Sequence, residues 1–306
     1  MMKYFVNAAL LVAMAAGPAA FAQETTTTEK AAPAKIVFVF QKQKDPRKIQ
    51  ESADKVAALL TKETGVEVEV MVPSSYGASV QAIISDKAQV AYTSALPFLL
   101  AKSETPVNMI VAEEREGRRD YDSIFVVRKD SDIKSLADLK GKKMVFTSPT
   151  STSGYIMAYY RLIKDGLLKP AQDPAEFFES VSYAGGYDRA LLAVANGQAD
   201  ACAVSDYTMQ GAKVDVYLNA EQRDKLRVLT ETPGVPTHGV FLRADLPQDL
   251  QDKLQAGLLK ISAEQPELLS DVYGAAKLIK ADSTHVDIIA DALKQTGLDI
   301  KNVAKD

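Results

Sequence analysis

The sequence predicts an α/β protein of two lobes. From Lys35 onward, short apolar strands alternate with amphipathic helices, the pattern of strands joined by crossover helices in parallel sheets. The alternation runs through two successive sets of units, and 306 residues suffice for two domains with sizeable cores. Two stretches also echo each other: "VQAIISDKAQVAYTS" (80–94) and "ALLAVANGQADACAVS" (190–205) both run apolar helix, polar turn, then a short strand ending in hydroxyls.

The elements follow in order. "MMKYFVNAALLVAMAAGPAAFAQ" has Lys3, an apolar run from Ala8 to Ala16, and Ala20-Phe21-Ala22, which reads as a cleavable export leader over residues 1–22. The apolar run is short for a membrane span and Gly17-Pro18 interrupts it. "QETTTTEKAAPAK" is polar and low in complexity, so residues 23–34 read as a flexible linker. "KIVFVF" is a strand, and "DPRKIQESADKVAALLTKETG" a helix with Asp45 as N-cap and Pro46 at its first position. Strand "VEVEVMVP", helix "SYGASVQAIISDK", strand "AQVAYTS", short helix "ALPFLLAKS" and strand "VNMIVAEER" complete the first set. The second set opens with strand "YDSIFVVRK" and the short helix, turn and strand of "SLADLKGKKMVFTS". A helix beginning near Ser153, strand "ESVSYAG", helix "YDRALLAVANG" and strand "ADACAVS" follow. Beyond "RVLTETPGVPTHGVFLRAD" the chain reads as helical over 247–267 and 287–296.

Composition narrows the function. A hydrophobic fraction of 47% and a charged fraction of 25% describe an ordinary globular chain, and a net charge of −4 offers no basic footprint for nucleic acid. Cys202 stands alone, so no intrachain disulfide forms, and it reads as a buried small hydrophobe. No His, Cys and carboxylate cluster has zinc spacing, and no cofactor is implied. An enzyme is the rival class, because serine-rich loops at helix starts also serve nucleophiles and phosphate transfer. The P-loop pattern and the G-x-S-x-G elbow are both absent. His238 falls in a loop before a strand, near a lobe crossover, as a hinge or rim residue.

In open α/β sheets, ligands sit beyond the carboxyl ends of strands. Those ends are Tyr92-Thr93-Ser94, Thr147-Ser148 and Val204-Ser205-Asp206, so polar groups gather where a cleft between lobes would lie. "SPTSTSGY" crowds five hydroxyls into six positions (Ser148, then Thr150 to Ser153), where a helix needs one cap. Unpaired N–H groups at a helix start, hydroxyl donors and a permissive Gly154 make an anion cradle; a plain N-cap with a polar loop is the alternative. Asp188 reads as a first-turn acid of its helix and Lys142-Lys143 as a solvated turn.

Three segments carry a resemblance. "DLKGKKMVFTSPTSTSGY", "SYAGGYDRALLAVANGQADACAVSD" and "SSYGASVQAIISDKAQVAYTS" resemble the phosphate, phosphite and phosphonate-binding proteins of ABC importers, and the similarity spans about residues 35–300. The resemblance implies a two-lobed periplasmic binding protein fold of type II. Two hinge crossovers would join the lobes, and the cleft would close over a small phosphorus oxyanion. It implies lobes at 35–121 plus 238–306 and at 122–237, a periplasmic monomer, a small anionic ligand and an ABC permease as partners, and no catalysis. The family's cradle falls on Ser151, Thr152 and Ser153, its first-lobe aromatic on Tyr76, its strand-end contacts on Tyr92 and Thr93, and its acidic contact on Asp206. Tyr76 could instead cap a loop, Tyr92 pack in the core, and Asp206 cap a helix over "DYTMQGAK". Where relatives commonly read AG-x-H-D, this chain reads "AGGYD", so Tyr187 takes the place of a ligand-contacting histidine. A sensory binding protein that presents its closed form to a receptor would use the same fold.

Overall fold

The computed structural model describes residues 32–300, except 42–45, 212–213 and 276. The expected leader, most of the linker and the Asp45 cap lie outside the described residues. No helix of the described residues is long and apolar enough to cross a membrane.

Two sheets organise the chain. The first contains β1 (Lys35–Phe40), β2 (Glu67–Met71), β3 (Val90–Thr93), β4 (Val107–Glu114), β10 (Gly239–Arg243) and β11 (Lys277–Lys280), in the order β11-β4-β10-β3-β1-β2. The second contains β5 (Asp120–Arg128), β6 (Lys143–Phe146), β7 (Ser180–Tyr183), β8 (Ala201–Ser205) and β9 (Leu226–Pro236), in the order β7-β6-β8-β5-β9. The helices are α1 (Pro46–Thr64), α2 (Tyr76–Ile84), α3 (Ala95–Glu104), α4 (Met157–Lys164), α5 (Tyr187–Ala195), α6 (Ala220–Asp224), α7 (Gln248–Glu264), α8 (Pro266–Tyr273) and α9 (Asp287–Thr296).

The central strands are apolar on both faces because both faces are covered. In β1, Ile36, Phe38 and Phe40 join the core beneath α1 and α7, while Val39 faces the opposite core, which includes residues of α2 and α3. In β5, Ile124 and Val126 pack toward α5, while Phe125 and Val127 join the core that holds α4. Cys202 is buried in the α5 core.

Parallel pairing holds for β2-β1-β3 and β7-β6-β8. The expectation of wholly parallel sheets is corrected at β10 and β5, which run antiparallel to their neighbours. The reason is connectivity. The chain leaves one lobe through β4 and enters the other through β5, then returns through β9 into β10. An entering strand starts at the hinge, where its neighbours end, so it runs against them. The carboxyl ends of β1, β3 and β4 thus meet those of β6, β8 and β9 across the space between the sheets. Between the two expected helical spans, 247–267 and 287–296, lies β11, which the sequence did not signal and which pairs antiparallel with β4. Helix α9, read with the first lobe from sequence, packs on α4 and β9.

The two crossovers hold each other. Thr237 N–H donates to the Arg119 carbonyl at 3.0 Å, and the Thr237 hydroxyl donates to the Glu113 carbonyl at 2.6 Å. Arg115 and Arg118 exchange backbone bonds at 2.9 Å around a turn in which Glu116 and Gly117 take positive φ.

The hydroxyl loop leaves β6 by an unusual route. The helix expected near Ser153 begins instead as a π turn over Thr152–Ile156, with Ile156 N–H reaching back to the Ser151 carbonyl at 3.2 Å, and only then becomes α4. Gly154 is required here by contact, because its carbonyl accepts from Thr147 N–H at 3.1 Å. A Cβ on Gly154 would stand 2.5 Å from the Thr147 Cβ and closer still to its Oγ1. Gly154→Ala is therefore expected to destabilise the fold by about 1–3 kcal/mol or more. Urea unfolding measures it, and an unshifted midpoint would show that the loop yields freely.

Candidate ligand-binding cleft

The surplus hydroxyls divide their work. Ser151 does what a cap does: its Oγ accepts from Gly154 N–H at 3.0 Å. Thr152 reaches the other lobe, where its Oγ1 accepts from Leu96 N–H in the first turn of α3 at 2.9 Å. Its own proton stays available, and an N–H donated to a hydroxyl strengthens that hydroxyl as a donor. Ser153 gathers its neighbours, with its Oγ 2.9 Å from the Tyr187 hydroxyl and 2.8 Å from the Ser205 hydroxyl. Its carbonyl accepts from the Ser123 hydroxyl at 2.7 Å. All three cradle residues are buried. The plain-cap reading thus describes Ser151 alone.

The first lobe supplies a facing surface. Tyr76 opens α2, whose N-cap Ser75 accepts from Ala78 N–H, so Tyr76 is not itself the cap. Burial first, then the nearby phenols of Tyr187 and Tyr217, push the Tyr76 phenol well above its ordinary pKa; Gln41 opposes the rise. Thr93 donates to the Gln41 side-chain carbonyl, which also accepts from Ser94 N–H at 3.1 Å. Gln41 therefore occupies the start of α3 beside the point that Thr152 reaches.

Tyr92 and Asp206 bond to partners other than the cradle hydroxyls. The Tyr92 hydroxyl donates to the Glu113 carboxylate, and its ring packs in the first-lobe core against Phe40 and His238. Asp206 opens only a single 3-10 turn, Asp206–Thr208, rather than the expected helix, and Ser205 holds the N-cap position. Its carboxylate accepts from Tyr207 N–H at 2.8 Å and lines a cavity shared with Tyr121 and Tyr207. Burial raises its pKa by disfavouring the charged carboxylate. Asp188 lies in the first turn of α5, and Lys142 and Lys143 are exposed, as read.

Sequence reasoning read His238 as a hinge or rim residue and did not single out Tyr121 or Tyr207. Among the described residues, the hydroxyls of Tyr121, Tyr207 and Thr232 and Nδ1 of His238 are buried with no hydrogen bond of ordinary geometry, an uncommon cost for a folded chain, and Ser153 is the polar neighbour of the Tyr121 hydroxyl. Tyr121, Tyr207 and His238 are neighbours. The Tyr121 ring stacks on His238 with centroids 5.9 Å apart and lies 5.2 Å from the Tyr207 ring, which stands edge-on to Tyr187 at 6.1 Å. Glu113 and Arg115 close the hinge side, with Arg115 Nε donating to Glu113 at 2.9 Å and its guanidinium 4.9 Å from the Tyr207 ring centroid. No spacing rule joins positions 121, 207 and 238, so only the crossovers bring them together.

A family profile described as "ABC transporter, phosphonate, periplasmic substrate-binding protein" matches residues 38–286. The chain belongs to this family. The phosphate-import protein PhnD of Mycolicibacterium smegmatis is 28% identical over 220 residues, covering 70% of this chain and 68% of its own length. A probable ABC transporter phosphite-binding protein PhnD1 of Prochlorococcus marinus is 24% identical over 237 residues, 73% of this chain and 77% of that one. The structure of PhnD1 from that organism in complex with methylphosphonate matches with a TM-score of 0.74 at 21% identity, covering 87% of this chain and 99% of the other. The two-lobed binding-protein fold expected from the sequence is therefore the fold of this chain.

A histidine does stand near the cradle of this phosphonate-binding protein, but it comes from the second crossover and not from α5. Burial first, then the charge of Arg115, lower the His238 pKa to about 3, so the ring is neutral at pH 7. At 3.7 Å, Glu113 Oε2 is too far from Nδ1 for a hydrogen bond. An unfolded histidine binds its proton near pH 6.5, so stability is complete above that pH and is lost as pH falls toward 3, with a slope of about 1.4 kcal/mol per pH unit. Burial lowers His285 in the same direction. His238→Gln should flatten the loss of melting temperature between pH 6.5 and 4.5 relative to the parent protein. Parallel curves for the two proteins would mean that His238 takes up its proton in the folded state.

Proposed function

We propose that this chain is the periplasmic solute-binding component of an ABC importer. It binds a small phosphorus oxyanion, whether phosphonate, phosphite or phosphate, by closing its lobes, here about 35–121 with 238–286 and about 122–237, with α9 lying against the second. It delivers that ligand to an inner-membrane permease and catalyses no reaction. Family membership supports the transport role. The observation that carries the ligand is the convergence of neutral donors beside the cradle: the Thr152 proton, the unpartnered hydroxyls of Tyr121 and Tyr207, and the Ser153–Tyr187–Ser205 cluster.

Charge-assisted hydrogen bonds from such donors are worth about 1.5–3 kcal/mol each, so a few suffice for tight capture. Neutral donors also spare the protein a buried, unpaired cation in its empty state. Asp206 repels a fully ionised oxygen but accepts from a P–OH, which favours a singly protonated oxyanion.

Calorimetry with methylphosphonate, phosphite, phosphate and sulfate tests the reading. At least one phosphorus oxyanion should bind in preference to sulfate. Thr152→Val keeps the side-chain shape and should weaken that binding by about 1–3 kcal/mol. Sulfate preference, or a Thr152→Val protein that binds like the parent, would reject the cradle. Small-angle scattering reads closure separately. Ligand should lower the radius of gyration, because it stabilises the closed form by its differential affinity for it. An unchanged value at saturation would argue against a cleft that closes.

A further inference from the structure

One side chain joins the first-lobe groups expected at the ligand. Gln41 stands just past β1, buried, with its N–H on the Tyr92 carbonyl at 3.0 Å. Its side-chain oxygen accepts from the Thr93 hydroxyl, from Ser94 N–H at 3.1 Å and from the Ser94 hydroxyl at 3.4 Å. The same side chain is the polar neighbour of the Tyr76 hydroxyl. The direction of this amide is fixed. A backbone N–H only donates, so the end of Gln41 that faces Ser94 is the oxygen. The single Thr93 proton is spent on that oxygen, and Thr93 turns only lone pairs to anything else. The nitrogen end of Gln41 is a pure donor. Burial raises the Tyr76 pKa most, Tyr187, Tyr217 and Asp188 add to the rise, and Gln41 opposes it, as an N–H aimed at the phenol oxygen does. A phenol that accepts keeps its own proton to give. The groups that bear on Tyr76 from the second lobe include Tyr187, whose hydroxyl lies 2.9 Å from Ser153 of the cradle.

We propose that Gln41 is a positioning residue of the ligand site: by taking the Thr93 proton and donating to Tyr76, it makes Tyr76 the first-lobe donor to the bound oxyanion and leaves Thr93 an acceptor only. The inference rests on the oxyanion reading above and adds which first-lobe hydroxyl serves the anion. Hydroxyl protons that turn freely sample donor and acceptor states alike, and the ligand then has to order them. One amide removes that freedom from both residues before the ligand arrives, so less is lost on binding. A hydroxyl whose oxygen already accepts is also the stronger donor. An anionic oxygen is thus drawn to Tyr76 and kept from the lone pairs of Thr93. The backbone of Gln41 and the Ser94 N–H hold the amide in place from two neighbouring strands, β1 and β3, so its aim is set by the sheet.

A double-mutant cycle read by calorimetry with methylphosphonate and phosphite tests the inference. The proteins are the parent, Gln41→Met, Tyr76→Phe and the double variant. Tyr76→Phe should weaken binding about tenfold, and Gln41→Met roughly fivefold to tenfold. In the Tyr76→Phe background, Gln41→Met should add less than about twofold, because the group it acts through is gone. Melting temperature should fall equally in both Gln41→Met proteins, since Ser94 N–H loses its acceptor in each. Gln41→Glu runs the same cycle with the oxygen end kept for Thr93 and Ser94, so the fold is retained if Gln41→Met unfolds. Its added charge acts in both backgrounds, and the excess loss beside an intact Tyr76 is the part that Tyr76 carries. A Gln41 loss of the same size with and without the Tyr76 hydroxyl would overturn the inference, and so would parent-like binding by Tyr76→Phe or by Gln41→Glu; each leaves the oxyanion reading standing. A parent protein that binds neither methylphosphonate nor phosphite would overturn the oxyanion reading and this inference with it.

Discussion

A loop of hydroxyls buried between two sheets has to find a partner for every polar atom, and that demand shapes the centre of this protein. Ser153 is the clearest case. Its carbonyl needs Ser123 on β5, its hydroxyl needs Tyr187 on α5 and Ser205 on β8, and its neighbour Gly154 must press against Thr147 at the end of β6. Four elements of one lobe are positioned by one residue and its peptide. An unmet group at that depth costs about 1–3 kcal/mol, so the arrangement is held by the cost of leaving it.

The same economy links the lobes. Thr152 is bonded to the first turn of α3, whose neighbouring groups are taken by Gln41. On the function proposed above, a hydroxyl that accepts from one lobe and donates into the cleft would make closure and ligand capture a single event. The hinge strands lie close by: Thr237 is tied to both Arg119 and Glu113, and His238 follows it directly into the stack with Tyr92 and Tyr121. Bending at the crossovers would therefore move the rings that face the cradle.

The electrostatics are those of a neutral container. Burial keeps the phenols of Tyr76, Tyr121 and Tyr207 protonated and His238 uncharged, while the buried charges of Glu113 and Arg115 are spent on each other. The Tyr187 hydroxyl beside Ser153 adds a further neutral group. On the function proposed above, affinity would come from aimed dipoles, which can empty and refill without exposing an unpaired ion.

The sequence by itself determined what is local. Alternating strands and helices, the two echoing helix–turn–strand units, the α2 and α5 boundaries, the buried Cys202 and the cradle loop all rest on neighbours within a few residues, where periodicity and turn chemistry act. The tertiary structure decided what depends on distant partners. It gave the three cradle hydroxyls separate tasks, turned the expected helix start into a π turn against Thr147, took Tyr92 to Glu113, and shortened the helix after Asp206 to one turn. It also brought Tyr121, Tyr207 and His238 together through two crossovers more than a hundred residues apart. Such contacts leave no period in a sequence, because the hinge that brings them together is set by how the two sheets exchange strands.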